Sequence, residues 1–400
     1  MRILVTYGWC RTAYAVVRSL SLAGHKVFVC DCSRLAMSRF SRYAQGFDRT
    51  PDPFSSPAEF ARAVGEIARR REIDVVVPVH EDALPLQVHR NLLPAQTIVA
   101  APPAEPLRHA LDKGFMADLV EANGLRAPRT CQPRNLEELD EMLASMPLPV
   151  VIKTRRGNSG KGVIIAHTRD EARKAYVALV QRVSLPQDRL PLLQEFVTGR
   201  PCGACFLAHE GKLIACFTEE YIRCKQRGFG TSVIRAPGML PRAVQATEKL
   251  VGALEWTGIG HVDYLVDPSS NEPIFLEMNP RFWGALYMAI ANGYDFPRAL
   301  VELVTVGHVE MSTIQPRPEP VAGVWLLGLG MSVMGDMARG ALLAPVRALK
   351  EILSYHGLVV YDDFALHDPL PFFAQTLHYG LGFFRSGFSL NPVNPNMLRD

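Results

Sequence analysis

The sequence predicts a mixed architecture: an α/β domain with a parallel, doubly wound sheet, followed by an α+β region. Through residues 1–105, short apolar segments alternate with amphipathic segments of helical spacing, which is typical of β-α-β units. From Leu192 onward, closely spaced apolar segments separated by turn residues replace this alternation. We therefore expect a parallel sheet at the N terminus and sheets of another kind after it.

Length and composition exclude several classes of protein. The chain has 400 residues, enough for two or three domains of ~150 residues each. Apolar residues make up 48% and charged residues 21%, as in a soluble globular protein. The net charge of +3 is too balanced for a general nucleic-acid binder, and eight cysteines in a chain of this length do not predict a disulfide framework. We expect a reduced, cytoplasmic setting.

No membrane or targeting segment is expected either. The longest apolar stretch, residues 321–335, is shorter than the ~20 residues that a membrane-spanning helix needs. The first residues read directly as a strand and a turn, which argues against a signal peptide.

The elements of the N-terminal region follow from local patterns. The spacing of Ala13, Val16 and Leu20 predicts a helix, and Ser56 with Glu59 forms the pattern of a capping box at the start of another. The predicted elements are strand 2–7, helix 11–23, strand 26–30, a helix from 57 to 71, and strands 73–79 and 97–101.

The rest of the chain up to residue 310 predicts further helices and strands. The predicted helices are 107–123, 135–143, 168–183 and 242–256. The predicted strands are 149–153, 163–166, 192–197, 202–209, 213–221, 260–266 and 274–278.

Residues 223–235 are expected to form a basic, glycine-bearing loop that clamps a triphosphate or a substrate carboxylate. In this loop Arg227 is a candidate substrate contact and Arg235 a candidate catalytic cation. A solvated surface loop is the alternative.

A glycine-rich loop between strands 149–153 and 163–166 is the first chemical signal. Gly157, Gly160 and Gly162 permit close approach of the backbone to a ligand, and Ser159 with free backbone N–H groups can bind phosphate. Lys153 and neighbouring basic residues bring positive charge to the same place. The alternative is an ordinary hairpin with a solvated basic tip.

The second signal is the string from Ile274 to Arg281. In a strand, the side chains of Glu277, Asn279 and Arg281 share one face, because strand periodicity is two. Carboxylate and amide oxygens suit Mg²⁺. If strands 260–266 and 274–278 pair, Asp263 approaches Glu277 and can share the metal. A solvent-facing polar strand end is the alternative.

Together, in this order, the two signals resemble the ATP-grasp superfamily, in which two α+β lobes hold ATP between them. The resemblance covers roughly residues 1–310, and it implies ATP and Mg²⁺ (or Mn²⁺) as cofactors. It divides the chain into an N-terminal domain at 1–105, a small lobe with a glycine-rich lid at 106–195, a catalytic lobe at 196–310 and a C-terminal extension of unknown role at 311–400.

The resemblance also implies roles for residues around the nucleotide: Lys113 and Lys153 on the phosphates, Gln194, Glu195, Phe196 and Val197 as the hinge against adenine, Asp263, Glu277 and Asn279 on the metal, and Arg281 on the reacting anion or acyl phosphate.

Some positions depart from the family pattern or stay open. Residues 198–202 lack the acid that many members use to bind ribose, and Ala285 stands where biotin carboxylases carry a catalytic glutamate, which argues against carboxylation. His261 stands where arginine is frequent. It is either a substrate-site group or a residue satisfied by a neighbouring carbonyl.

Three further candidates have two interpretations each. His80 and Glu81 follow strand 73–79 and either line the substrate cleft or start an exposed helix. Trp283 is either a packed aromatic or a substrate contact.

The resemblance implies an ATP-dependent carboxylate–amine ligase that works through an acyl phosphate, with a small-molecule carboxylate and an amine as substrates. Two alternatives are phosphorylation of bicarbonate or a small carboxylate, as in carbamoyl-phosphate synthetases, and a non-catalytic nucleotide-binding protein. Residues 311–400 either form a homodimer contact, complete the substrate pocket or meet a partner. Residues 370–384 are expected to form a packed terminal helix, with docking on a membrane surface or a partner as the alternative.

Overall fold

The computed structural model of this chain describes residues 1–157, 162–183, 189–226, 229–354 and 358–385. Three sheets organise these residues, with five, four and seven strands in the described parts.

The N-terminal sheet is parallel, as the sequence predicts. Its strand order is β3-β2-β1-β4-β5, and every neighbouring pair is parallel. Strand β4 is wholly buried because helices cover both faces of such a sheet, which explains its continuous valine run. The strands are β1 (Arg2–Val5), β2 (Lys26–Asp31), β3 (Gly46–Arg49), β4 (Val75–Val77) and β5 (Ile98–Val99), and the helices are α1 (Arg11–Leu22), α2 (Pro57–Arg71) and α3 (Ala83–Val88).

Strand β3 and helix α3 are not among the predicted elements, and two further details differ from the predicted pattern. Helix α2 starts at Pro57, but the Ser56 side chain makes no capping hydrogen bond. The single helix predicted at 107–123 is two helices, α4 (Ala104–Leu111) and α5 (Lys113–Ala122). The break falls at Asp112, because its carboxylate accepts hydrogen bonds from the first free N–H groups of α5.

The small lobe contains an antiparallel sheet with the order β6-β9-β7-β8. Helix α6 begins at a capping Asn135, as predicted, and Thr168 and Glu171 form the predicted capping box at the start of α7. The elements are β6 (Thr130–Cys131), α6 (Leu136–Ser145), β7 (Val150–Lys153), β8 (Val163–Ala166), α7 (Arg169–Val183) and β9 (Leu192–Glu195).

The large sheet has the order β14-β13-β10-β11-β12-β15-β16. Its strands are β10 (Arg200–His209), β11 (Lys212–Gln226), β12 (Phe229–Pro237), β13 (Gly258–Val266), β14 (Pro273–Asn279), β15 (Ala322–Val324) and β16 (Val359–Tyr361). Helices α8 (Pro241–Ala253), α9 (Leu286–Ala291) and α10 (Phe296–Val306) accompany it.

The prediction of a basic loop at 223–235 is wrong for the described residues of that stretch. Strands β11 and β12 run through it and pair antiparallel from Glu219 opposite Pro237 to Gln226 opposite Phe229. Arg223 pairs with Asp336 and Glu351, and Arg235 pairs with Asp362, so these two basic residues do not belong to one solvated patch. Lys225 lines the cavity described below.

The C-terminal residues join the large sheet. Strand β15 pairs with β12, and β16 pairs with β15. Helices α11 (Leu326–Ala338) and α12 (Ala344–Leu353) lie between these two strands in the chain, and α13 (Leu370–Arg385) follows β16. The predicted terminal helix is present as α13, which leaves Phe373, Leu377 and Phe384 exposed. Among the described residues, no helix is both long enough and apolar enough to cross a membrane.

Candidate active site

A cavity of about 1180 Å³ lies where the three sheets meet. The small lobe contributes Lys153, the large sheet contributes Glu277, and the N-terminal domain contributes His80 to its lining. Residues of α11 and α13 close the remaining side. The positions of the predicted site residues are therefore described with respect to this cavity.

The predicted metal ligands lie at one end of this cavity. Strands β13 and β14 pair antiparallel, as the hairpin pattern predicts, and Asp263 lies directly opposite Glu277. The Asn279 amide donates to the Asp263 Oδ2 atom at 3.0 Å and to the Glu277 Oε1 atom at 3.4 Å. Arg281 donates through Nη2 to the Asn279 Oδ1 atom at 2.9 Å. Two carboxylates, one amide and one guanidinium thus form a connected group.

The oxygen donors of this group suit a cation. Burial, followed by the nearby Glu277 carboxylate, raises the pKa of Asp263 to about 7. Burial alone would also raise the pKa of Glu277, but Lys113 and Lys153 outweigh it and hold that pKa below its ordinary value. Adjacent buried carboxylates with oxygen donors are the ligand set that Mg²⁺ or Mn²⁺ prefers, so these residues fit a divalent cation.

Both predicted lysines reach the same end of the cavity. The Lys113 ammonium donates to the Gly157 carbonyl at 2.6 Å and lies 3.4 Å from the Glu277 Oε2 atom. Lys153 is buried, with its ammonium 3.5 Å from the Leu276 carbonyl. Burial, reinforced by Lys113, lowers the pKa of Lys153 to about 7. A polyanion bound beside Lys153 would favour its charged form.

The predicted hinge residues Gln194, Glu195, Phe196 and Val197 all line the cavity. The walls next to them are apolar and come from both lobes, namely Val151, Val163, Ile165 and Leu276. An apolar space of this kind beside the hinge residues suits a flat heterocycle.

The glycine-rich loop is described only in part. Gly157 has a φ of 116° and lines the cavity. Gly162 has a φ of 76°, and a Cβ there would collide with the Thr154 hydroxyl, so both positions require glycine. Ser159, Gly160 and Arg227 lie outside the described residues.

His261 lies deep in the cavity as a neutral side chain. Burial, followed by the charge of Arg281, lowers the pKa of His261 to about 3. The Tyr221 hydroxyl donates its proton to the Asp263 Oδ1 atom at 2.7 Å, so its 3.1 Å contact with the His261 Nε2 atom requires the histidine to donate. The Trp283 ring stacks against His261 with ring centroids 6.0 Å apart and also lines the cavity.

Two other candidates contact the site from the N-terminal domain. His80 lines the cavity and stacks on Tyr7 with ring centroids 4.7 Å apart. Glu81 lies 3.6 Å from the Arg281 Nε atom and so contributes to the orientation of that guanidinium.

Arg235 does not lie where a catalytic cation is needed. Its guanidinium is fully buried and donates to the Asp362 Oδ2 atom at 2.7 Å, and the described residues that line the cavity do not include it. The prediction of Arg235 as a catalytic residue is corrected to a buried ion pair, because β12 turns this side chain toward the C-terminal residues.

Sequence reasoning missed Glu219, Arg11 and the C-terminal lining residues. Glu219 lines the cavity on β11, and burial raises its pKa to about 8 despite the opposing charge of Arg235. An acidic residue inside a predicted apolar strand was the available signal for Glu219. Arg11 and the C-terminal residues carry no such local signal.

Comparison with known proteins identifies the domain that holds this site. Residues 110–285 match the ATP-grasp domain family. The chain is 27% identical over 187 residues to a D-alanine–D-alanine ligase of Carboxydothermus hydrogenoformans. This alignment covers 42% of this chain and 58% of the relative. It is 27% identical over 208 residues to a probable α-L-glutamate ligase of Thioalkalivibrio sulfidiphilus. This alignment covers 50% of this chain and 64% of the relative. The chain thus spans under two thirds of the length of each of these two curated relatives.

Solved structures share the fold. A biotin carboxylase of Campylobacter jejuni in complex with β-γ-ATP superposes with a TM-score of 0.65 at 15% identity, over 79% of this chain and 73% of the other. An L-amino acid ligase of Bacillus licheniformis superposes with a TM-score of 0.59 at 16% identity, over 79% of this chain and 77% of the other.

Proposed function

We propose that this chain, which belongs to the ATP-grasp superfamily through its domain at residues 110–285, is an ATP-dependent carboxylate–amine ligase that releases ADP and phosphate. One observation carries the proposal. The group Asp263–Glu277–Asn279–Arg281 and the cations Lys113 and Lys153 line a single cavity. That pairing of oxygen donors with cations suits the binding and transfer of a phosphoryl group.

The first half-reaction forms an acyl phosphate. An oxygen of the substrate carboxylate attacks the γ-phosphorus of ATP, the bond between that phosphorus and the β-γ bridging oxygen breaks, and ADP leaves. Lys113 and Lys153 hold the phosphates in position, and their charge opposes the negative charge on the transferred group.

Asp263, Glu277 and Asn279 would hold Mg²⁺ or Mn²⁺, which supplies further charge neutralisation at the phosphates when bound. The hinge residues 194–197 and the apolar walls beside them would hold the adenine ring. The metal-binding role rests on the oxygen donors of Asp263, Glu277 and Asn279. The adenine-binding role rests on the apolar walls of the cavity beside the hinge residues.

The second half-reaction forms the amide. The nitrogen of the amine attacks the acyl carbon, the carbon–oxygen bond to phosphate breaks, and the nitrogen loses a proton. Arg281 would bind the oxyanion of the tetrahedral intermediate through its positive charge. Its guanidinium is oriented by Asn279 and by the Phe282 carbonyl, each at 2.9 Å.

The test is phosphate release from ATP and Mg²⁺ across a matrix of carboxylic acids and amines, with product masses measured in each active mixture. A ligase gives release that requires one acid and one amine, with a product mass equal to their sum minus water. Release with bicarbonate alone would instead indicate phosphorylation of bicarbonate. ATP binding without release in any mixture would contradict an enzymatic role.

A further inference from the structure

One part of the cavity is aromatic and lies away from the metal end. We call it the aromatic chamber, and its lining residues are Trp9, Trp325, Leu327, Met331, Met334 and Tyr379. Trp9 follows strand β1, whereas the other five residues come from the chain after residue 320. The chamber therefore exists only because the two ends of the chain meet.

Ring contacts join these two ends. The Trp9 ring stacks on His378 with centroids 5.2 Å apart, and Tyr379 lies 6.0 Å from the rings of both Trp9 and Trp325. These aromatic side chains form an extended apolar wall of the kind that packs against planar or hydrocarbon groups.

The chamber is continuous with the metal end through Arg281, Trp283 and Arg11, which all line the same cavity. The Arg11 Nε atom donates to the Gly284 carbonyl at 2.9 Å, and the Arg11 guanidinium lies 3.9 Å from the centre of the Trp325 ring. A molecule with one end beside Arg281 can therefore extend its other end into the chamber.

The cavity has room for more than a nucleotide. Its volume of about 1180 Å³ exceeds the ~300–1,000 Å³ typical of a pocket for one ligand. Glycines on the lining helices contribute to this space, since a Cβ added at Gly380 or Gly382 would meet no atom within 4 Å.

We propose that the aromatic chamber binds the apolar body of the substrate acid, and that this body is aromatic; the inference rests on the proposed function. The acid places its carboxylate beside Arg281 and its ring among Trp9, Trp325 and Tyr379. The six chamber residues are uncharged, and the Arg11 guanidinium that covers the Trp325 ring already donates to the Gly284 carbonyl, so a hydrophilic acid would lose hydrogen bonds to water against the apolar walls. Met331 and Met334 adapt their shape to the ring.

Binding is measured by intrinsic tryptophan fluorescence of the full chain, because two of its four tryptophans line the chamber. The probes are 3-phenylpropanoate and 3-(4-methylphenyl)propanoate, which do not emit in the tryptophan range, with propanoate as the small acid. We expect both aromatic acids to change the emission and to bind at least about tenfold more tightly than propanoate, a difference of ~1.4 kcal/mol.

A matched pair of variants on α11 locates the binding. Met334 lines the chamber and is 59% exposed, whereas Met337 is 41% exposed and does not line the cavity. Met334→Glu should weaken binding of the aromatic acids about tenfold, because it places a charge at the apolar wall. Met337→Glu should change the affinity for the aromatic acids by no more than about twofold. If Met334→Glu does not fold, Gly380→Leu replaces it, since added bulk there meets no neighbouring atom.

Failure of this inference and failure of the ligase proposal give different results. If small hydrophilic acids support amide formation while neither aromatic acid binds or reacts, or if the two methionine variants bind alike, the chamber assignment is overturned and the ligase proposal stands. If the aromatic acids bind in a Met334-dependent way and no acid–amine pair releases phosphate, the ligase proposal fails and the chamber remains a binding site for aromatic acids.

Discussion

Arg235 and Asp362 form a fully buried ion pair, with the Nη2 and Oδ2 atoms 2.7 Å apart. Arg235 belongs to the large sheet on β12, and Asp362 follows β16 near the C terminus. Arg11 of the N-terminal helix α1 lies 3.7 Å from the same carboxylate. One carboxylate near the end of the chain therefore neutralises cations from two other parts of the molecule.

Loss of this carboxylate should destabilise the fold. Asp362→Ala leaves Arg235 buried without its partner, and we expect the free energy of unfolding to fall by ~3–5 kcal/mol. Urea denaturation measures the change. The matched control is Asp170→Ala, which removes an exposed pair with Lys174 and should have no measurable effect. The double variant Arg235→Met with Asp362→Leu should recover most of the stability; equal loss in the single and double variants would contradict an ion-pair origin.

Glu277 should be essential for turnover. Glu277→Ala removes a proposed metal ligand and the partner of Lys113, and we expect ATP-dependent product formation to fall about a thousandfold or more, because electrostatic stabilisation dominates phosphoryl transfer. Steady-state kinetics with the identified substrates measures this. Glu272→Ala is the control, since Glu272 pairs with Arg242 at the surface. Near-normal turnover in Glu277→Ala would remove this residue from the site.

The buried ammonium of Lys153 should link ATP binding to stability and pH. Burial lowers its pKa from 10.5 to about 7, so between these values the unfolded chain binds more protons at this residue than the folded chain. Its cost to folding is therefore complete below pH 7 and disappears as the pH rises toward 10.5.

Lys153→Met should consequently stabilise the nucleotide-free protein at pH 7 by a few kcal/mol at most and weaken ATP binding. The gain in stability should shrink between pH 7 and 10. Thermal unfolding at several pH values and ATP titration measure the two effects. Unchanged ATP affinity would exclude Lys153 from the nucleotide site, and a pH-independent stability difference would contradict the pKa argument.

Divalent cations should be required for activity. Treatment with EDTA should abolish phosphate release, and added Mg²⁺ or Mn²⁺ should restore it, because both bind the oxygen donors of Asp263, Glu277 and Asn279. Phosphate release measured against metal concentration tests this. Full activity in EDTA would contradict the proposed role of these three residues.

Much of the fold and part of the site follow from local sequence. Hydrophobic periodicity predicts the parallel N-terminal sheet, and the short turn after Val266 predicts the pairing of β13 with β14. The register set by the turn would place Asp263 opposite Leu276, and an irregularity between Asp263 and Tyr264 shifts the pairing by one residue so that Asp263 lies opposite Glu277. Lys113, Lys153 and Arg281 were likewise located by short motifs.

Other features depend on contacts between residues far apart in sequence. The β-α-β units and the shared face of Glu277 and Asn279 follow from the sequence, since both arise from spacing within a single element. Only the tertiary structure decided that Arg235 pairs with Asp362, that β15 and β16 extend the large sheet, and that Trp9 faces Tyr379 across a chamber. The Arg11 bond to Gly284 spans 273 positions, and no periodic pattern records such a contact, because its partners meet only after each element has packed.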